Sequence, residues 1–127
     1  MNYDKLCMDV LAIDSSVRFA TVYTKSGDVV GGGMRQDKES LLTPEEATMS
    51  LYYSRHMFEL HKNLFHIMGK EKYSMTEYAK VKLISVPLQD DNLLLVSIEP
   101  TGDHFRMIDH MLKVVDAHSK ENFSEKI

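Results

Sequence analysis

From Glu45 to Met68 the chain contains neither proline nor glycine, and that long stretch opens on Thr43-Pro44-Glu45-Glu46. Each of these four residues favours a helix start. The Thr43 hydroxyl can accept the Glu46 amide proton, Pro44 has no N–H to leave unsatisfied, and both glutamates suit the positive end of the dipole. Gly69 is a natural C-terminal cap. About 26 residues at 1.5 Å each give a helix of roughly 39 Å, close to the full width of a domain of this size. Whatever else the chain builds must lie along this rod.

Projected at 100° per residue, the rod carries two apolar stripes. Tyr53, Met57, Leu60, Leu64 and Ile67 fall within about 80° of arc, and Ala47, Leu51, Phe58 and Phe65 form a second stripe about 120° further round. Together they cover roughly 200°, where a helix lying on one sheet shows nearer 100°. One stripe can face a sheet, and the other needs a cover from a flanking helix or a second subunit. His56, His61 and His66 are five residues apart and share no face, whereas chelation from one helix needs spacings of three or four. His56 and His66 are expected on the polar arc, and His61 within the apolar one.

The remaining elements are shorter. Tyr3, Leu6, Cys7, Val10 and Leu11 recur at helical spacing, stopped by Asp14-Ser15-Ser16. Strands are expected over Val17 to Thr24 and Asp28 to Arg35, joined through Lys25-Ser26-Gly27. Phe19, Thr21 and Tyr23 should share one face of the first strand, Ala20 and Val22 the other. Three further strands are expected over Glu71 to Glu77, Tyr78 to Leu88 and Asn92 to Glu99, the last two joined by a turn at Gln89-Asp90-Asp91. After Pro100-Thr101-Gly102-Asp103 a last helix carries Phe105, Ile108, Leu112 and Val115, with a polar, frayed tail at 119–127. The order α-β-β-α-β-β-β-α describes an α+β fold, a single five-stranded antiparallel sheet with helices packed on it.

Composition narrows the setting. The 127 residues suit one domain, 1–127, with 43% hydrophobic and 27% charged residues. A net charge of −4 argues against a general nucleic-acid binder, and no apolar run is long enough to cross a membrane. Cys7 has no cysteine to pair with, and Asp4, Lys5 and Asp9 interrupt any signal-peptide core, so a cytoplasmic protein is expected.

Gly31-Gly32-Gly33 invites a phosphate-loop reading. Neither G-x-x-x-x-G-K-[ST] nor G-x-G-x-x-G is present, and the next helix starts too late to offer its N-terminus. The glycines are better explained by close approach of a helix or by a bulge. Gly32, Gly33 and Arg35 remain a weak candidate anion site. Cys7 on an apolar helical face is expected to be packed, and His104 and His110 to sit on a solvated face. Lys70, Lys72, Lys80 and Lys82 suggest a basic strip. No nucleophile elbow, metal set or cofactor loop emerges, so neither an enzyme nor a cofactor is expected.

The order of elements, with the hairpin "VRFATVYTKSGDVVGGG" and the capped helix after it, resembles the roadblock (dynein light-chain) type of profilin-like fold. "MNYDKLCMDVLAIDSSVRFATV", "GGGMR" and "KYSMTEYAKVKLISVPLQDDNLLLVSIEP" are similar to a family of short uncharacterised archaeal proteins, which supplies no catalytic residues. The roadblock resemblance implies a homodimer with long helices adjacent, sheets joined through the strand after Gly69, and a non-enzymatic surface for partners such as small GTPases. The interface candidates are Tyr53, Met57, Leu60, His61, Leu64, Tyr73 and Met75. The alternative is a PAS-like ligand sensor with His61, Tyr73 and Tyr78 as polar handles.

Overall fold

The computed structural model describes the backbone of residues 1–126 and the side chains of residues 1–120. Helix α1 (Tyr3–Leu11) leads into strands β1 (Val17–Tyr23) and β2 (Val29–Met34). The long helix α2 (Pro44–His61) continues through a 3-10 turn, Lys62–Leu64, into the short helix α3 (Phe65–Met68). Strands β3 (Ser74–Glu77), β4 (Lys82–Pro87) and β5 (Leu93–Ile98) precede the last helix α4 (His104–Lys126). One five-stranded sheet results, in the order β2-β1-β5-β4-β3, with every neighbouring pair antiparallel. Of the tail expected at 119–127, the backbone through Lys126 belongs to α4, while the side chains from 121 onward and Ile127 lie outside the described residues.

The sheet has helices on both faces. Ala20 and Val22 of β1, Ile84 and Val86 of β4, and Leu94, Val96 and Ile98 of β5 form one core with Leu6, Cys7 and Val10 of α1 and Met107, Ile108 and Met111 of α4. Across the sheet, Phe19, Tyr23, Leu93 and Leu95 meet Phe58, Leu51 and Phe65 from the long helix and its extension. The alternation in β1 is the expected one. Strand β5 is buried along its whole length, as a central strand covered on both faces must be.

Local chemistry explains most element ends. Thr43 closes a full capping box, accepting from the Glu46 amide at 3.2 Å while its own amide donates to Glu46 Oε1 at 2.9 Å. Gly27 supplies the positive φ of +89° that the β1–β2 turn needs. The long helix is not continuous as expected. Asn63 Nδ2 donates to the Leu60 carbonyl at 3.1 Å, competing for an acceptor of the helical ladder. Next to it, Lys62 is drawn sideways to Asp91 at 2.7 Å.

Strands β3 and β4 are shorter than the apolar pattern suggested. Tyr78 N donates to Val81 O at 2.8 Å, so residues 78–81 form the hairpin turn. In helix α4, Ile108, Leu112 and Val115 of the expected stripe do pack on the core. Met107 and Met111 face the sheet, fully buried, whereas Phe105 is 77% exposed.

Candidate functional site

Helix α2 has apolar side chains on both of its faces, and only one of those faces is covered. Phe58 is buried against Tyr23, Leu93 and Leu95, with Leu51 and Phe65 half-buried beside it. This inner stripe is the one centred on Phe58. The other stripe points away from the sheet: Tyr53 is 55% exposed, Met57 50%, Leu60 49% and Leu64 48%. Met49, Tyr52 and Ile67 extend it at both ends, also exposed. From Met49 to Ile67 it measures roughly 27 Å along the axis. Monomeric proteins seldom show solvent so long an apolar surface.

The ends of this strip differ in charge. Glu45 and Glu46 occupy the first turn of α2, and the other end carries His66, Lys70 and Lys72, all exposed. The flanks are polar. His61 Nδ1 pairs with the largely buried Glu71 carboxylate. Glu59 takes Arg55 at 3.4 Å and Lys62 at 3.3 Å, while the hydrogen bond to Asp91 holds the Lys62 ammonium above its ordinary range. Tyr73, just before β3, is 42% exposed, and β3 itself is an outer strand with one side unpaired within the chain.

The interface candidates therefore separate. Tyr53, Met57, Leu60 and Leu64 come together on one bare face. His61 lies at its flank with Glu71, and Tyr73 at the approach to β3. Met75 does not join them. It pairs with Ile84 and packs, partly buried, into the α1/α4 core, because directly paired residues of neighbouring strands lie on the same face. His56, expected on the polar arc, is exposed and stacks on Tyr52 with ring centroids 6.1 Å apart, at the edge of the bare face. Tyr78 is 54% exposed in the β3–β4 turn. Neither it nor Tyr73 nor His61 lines either of the two surface clefts described.

The glycine stretch is used internally. The Gly32 amide donates to Asp4 Oδ1 at 3.0 Å, so a carboxylate of the chain itself takes the anion's position. Arg35 donates through Nε to Val17 O at 2.8 Å and through Nη2 to the Leu11 and Asp14 carbonyls. Its guanidinium thus ties α1 and the following loop to β1. A Cβ at Gly32 would lie 2.0 Å from Ala20 O and 2.8 Å from Cys7 Sγ. One at Gly31 would lie 2.7 Å from Tyr3 Cβ. Gly31 permits the close approach of α1, and Gly32 that of the β1 backbone and of Cys7. At Gly33 nothing lies within 4 Å of such an atom.

Other polar groups are also committed. Burial, and then the Asp4 charge, push the Cys7 thiol up to about 12, leaving a protonated core side chain at neutral pH. Lys82 is not part of a surface strip. It is buried beneath the start of α4, donating to Gly102 O at 2.9 Å and lying 3.0 Å from His104 Nδ1. Thus His104 is not simply solvated.

Two buried polar groups and one exposed carboxylate escaped the sequence reading. His118 reaches Asp9 Oδ2 at 2.7 Å between α4 and α1, Arg55 is buried beside the Tyr23 and Phe58 rings, and Asp4 caps Gly32. The spacing of Arg55 to Phe58 along α2 hinted at the second, but the first and third join distant segments. Among the described residues, no three His, Cys, Asp or Glu side chains group as a metal site, and no helix is long and apolar enough to cross a membrane.

No family model matches the sequence, and no curated protein matches it. Solved structures do. A Roadblock/LC7 domain from Streptomyces avermitilis superposes with a TM-score of 0.72 at 13% identity, over 97% of this chain and 99% of that one. Myxococcus xanthus MglB gives 0.71 at 14% identity, covering 96% and 95%. MglC from the same organism gives 0.63 at 14% identity, covering 96% and 99%. With nearly the whole of each chain aligned, this protein has the Roadblock/LC7 fold.

Proposed function

We propose that this chain is a non-catalytic homodimeric interaction module whose assembled surface receives a protein partner of the small-GTPase class. The observation that carries the reading is the bare apolar strip of α2, which is built like a core face yet has nothing from its own chain over it. A second copy is the occupant that its charges favour. Laid antiparallel about a two-fold axis, the acidic start of one α2 meets the basic end of the other at both ends of the strip. Opposed helix dipoles add to the match. The unpaired side of β3, beside the same end of the helix, allows the two sheets to join.

Support for the partner class comes from the resemblance of the hairpin and capped helix to roadblock proteins, together with the shared fold. Fold alone does not fix function, so the partner is tested separately. The free, buried Cys7 supports a reducing compartment, and we place the module in the cytoplasm. The PAS-like alternative is not favoured, since its three polar handles do not converge on one pocket.

Light scattering over a wide concentration range tests the assembly. The expected mass is twice the 14.6 kDa of one chain, persisting at low micromolar concentration; a mass that stays at one chain overturns the reading. Binding of the dimer to small GTPases carrying GDP or a GTP analogue then tests the partner class, and equal or absent binding in both states removes it.

A further inference from the structure

We infer that His56 makes self-association through α2 sensitive to pH, an inference that rests on the dimer reading above. His56 is exposed at the edge of the outward face and stacked nearly parallel on Tyr52, with 6° between the rings. One turn away along the same face lie Tyr53 and Leu60, and Met57 is adjacent in sequence, all exposed and apolar in body. The charged groups around this part of the helix are its own Arg55, Glu59 and Lys62, with Asp91 of the β4–β5 turn reached by Lys62 at 2.7 Å. Glu59 is held by Arg55 at 3.4 Å and by Lys62 at 3.3 Å, so that carboxylate already has two cations. A second copy brings its own Glu59 near the middle of the strip, likewise held by Arg55 and Lys62, while Glu45 and Glu46 sit at the far end.

Position sharpens the effect. The bare strip runs from Met49 to Ile67, so its midpoint falls two residues from His56. An antiparallel two-fold pair then sets the two imidazoles only about 6 Å apart along the axis. Neutral rings can be buried there against tyrosine and leucine. Protonated rings would be desolvated and would repel each other. Imidazole is the side chain that changes charge between pH 5 and 8.

The sign follows from linkage. Burial in the dimer favours the neutral ring, so assembly is complete above the range in which the free ring titrates and weakens as pH falls through it. With two rings per dimer, each changing charge between pH 5 and 8, dissociation strengthens roughly 100-fold between pH 7.5 and 5.5. His61 does not act in this way, because its ring faces the Glu71 carboxylate at the flank of the strip and not another imidazole. His66 lies off the strip, at the basic end of the helix.

Sedimentation equilibrium at pH 7.5 and 5.5 tests the inference. The unsubstituted chain should lose affinity about 100-fold, His61→Gln should lose as much, and His56→Gln should change less than about 3-fold. His56→Leu, which keeps an apolar strip, should remain dimeric at both pH values even if the glutamine weakens assembly. A flat profile for the unsubstituted chain, or the same loss in both His56 variants, overturns the role of His56 while leaving the dimer standing. A chain monomeric at pH 7.5 overturns the dimer itself.

Discussion

Met57→Asp combined with Leu64→Asp converts the assembly into a folded monomer. Both side chains lie on the outward face of α2, about half exposed in the single chain, so the charges meet water in the monomer and cost little there. In an antiparallel pair the same change buries four uncompensated carboxylates and removes four apolar side chains. At 1.5 kcal/mol or more for each buried group, the loss is about 6 kcal/mol, or roughly 10⁴-fold in dissociation constant. Far-ultraviolet circular dichroism should be unchanged, and light scattering should report one chain. If the doubly substituted protein stays dimeric, this face is not the interface. If it unfolds, the outward face was structural in the single chain, contrary to its exposure.

The second large effect concerns Gly32, and it comes with an internal reference. Gly27 and Gly32 have nearly the same left-handed φ, +89° and +90°, so an alanine at either meets the same backbone strain of about 1–2 kcal/mol. Their surroundings differ. A Cβ at Gly27 has nothing within 4 Å, whereas at Gly32 it would lie 2.0 Å from Ala20 O. That contact is with the backbone of the neighbouring strand, which cannot rotate away. The β1–β2 pairing or the seat of α1 must shift, adding about 2–4 kcal/mol. Urea unfolding at one fixed protein concentration should show Gly27→Ala mildly destabilised and Gly32→Ala by about 3–6 kcal/mol. Equal losses at the two positions would show that space at Gly32 does not matter.

Much of the architecture was legible because its signals are local. The Thr43 capping box, the Gly27 turn and the alternation from Phe19 to Tyr23 each depend on residues within a few positions of one another. The two stripes of α2 were legible too, although only the structure shows that Phe58 and Leu51 face inward and Met57 and Leu64 outward. Misreadings arose where one hydrogen bond, or a segment distant in sequence, decides the outcome. Residues 78–81 are apolar enough for a strand, but backbone pairing between Tyr78 and Val81 makes them a turn. Asn63 looked compatible with a continuous helix until its amide found the Leu60 carbonyl. Met75 shares the composition of the interface candidates, yet pairing opposite Ile84 turns it to the other face. Lys82 seemed one of several surface lysines, and the arrival of α4 overhead buries it. Gly32 and Arg35 suggested an anion because the carboxylate and carbonyls that occupy them belong to residues 4, 11, 14 and 17.

The sheet order has a consequence for how the chain can be made. Strand β1 lies between β2 and β5, so its second neighbour is synthesised some seventy residues after it. While the nascent chain lengthens, the first hairpin can close and α1 can settle on its glycines. The other side of β1 must wait, and so must the seat of Phe58, which includes Leu93 and Leu95. Only when residue 98 has left the ribosome does the central strand exist, and with it a surface for both helical layers. Until then α2 is a rod with both apolar faces open, and nothing yet distinguishes its inner side from its outer one.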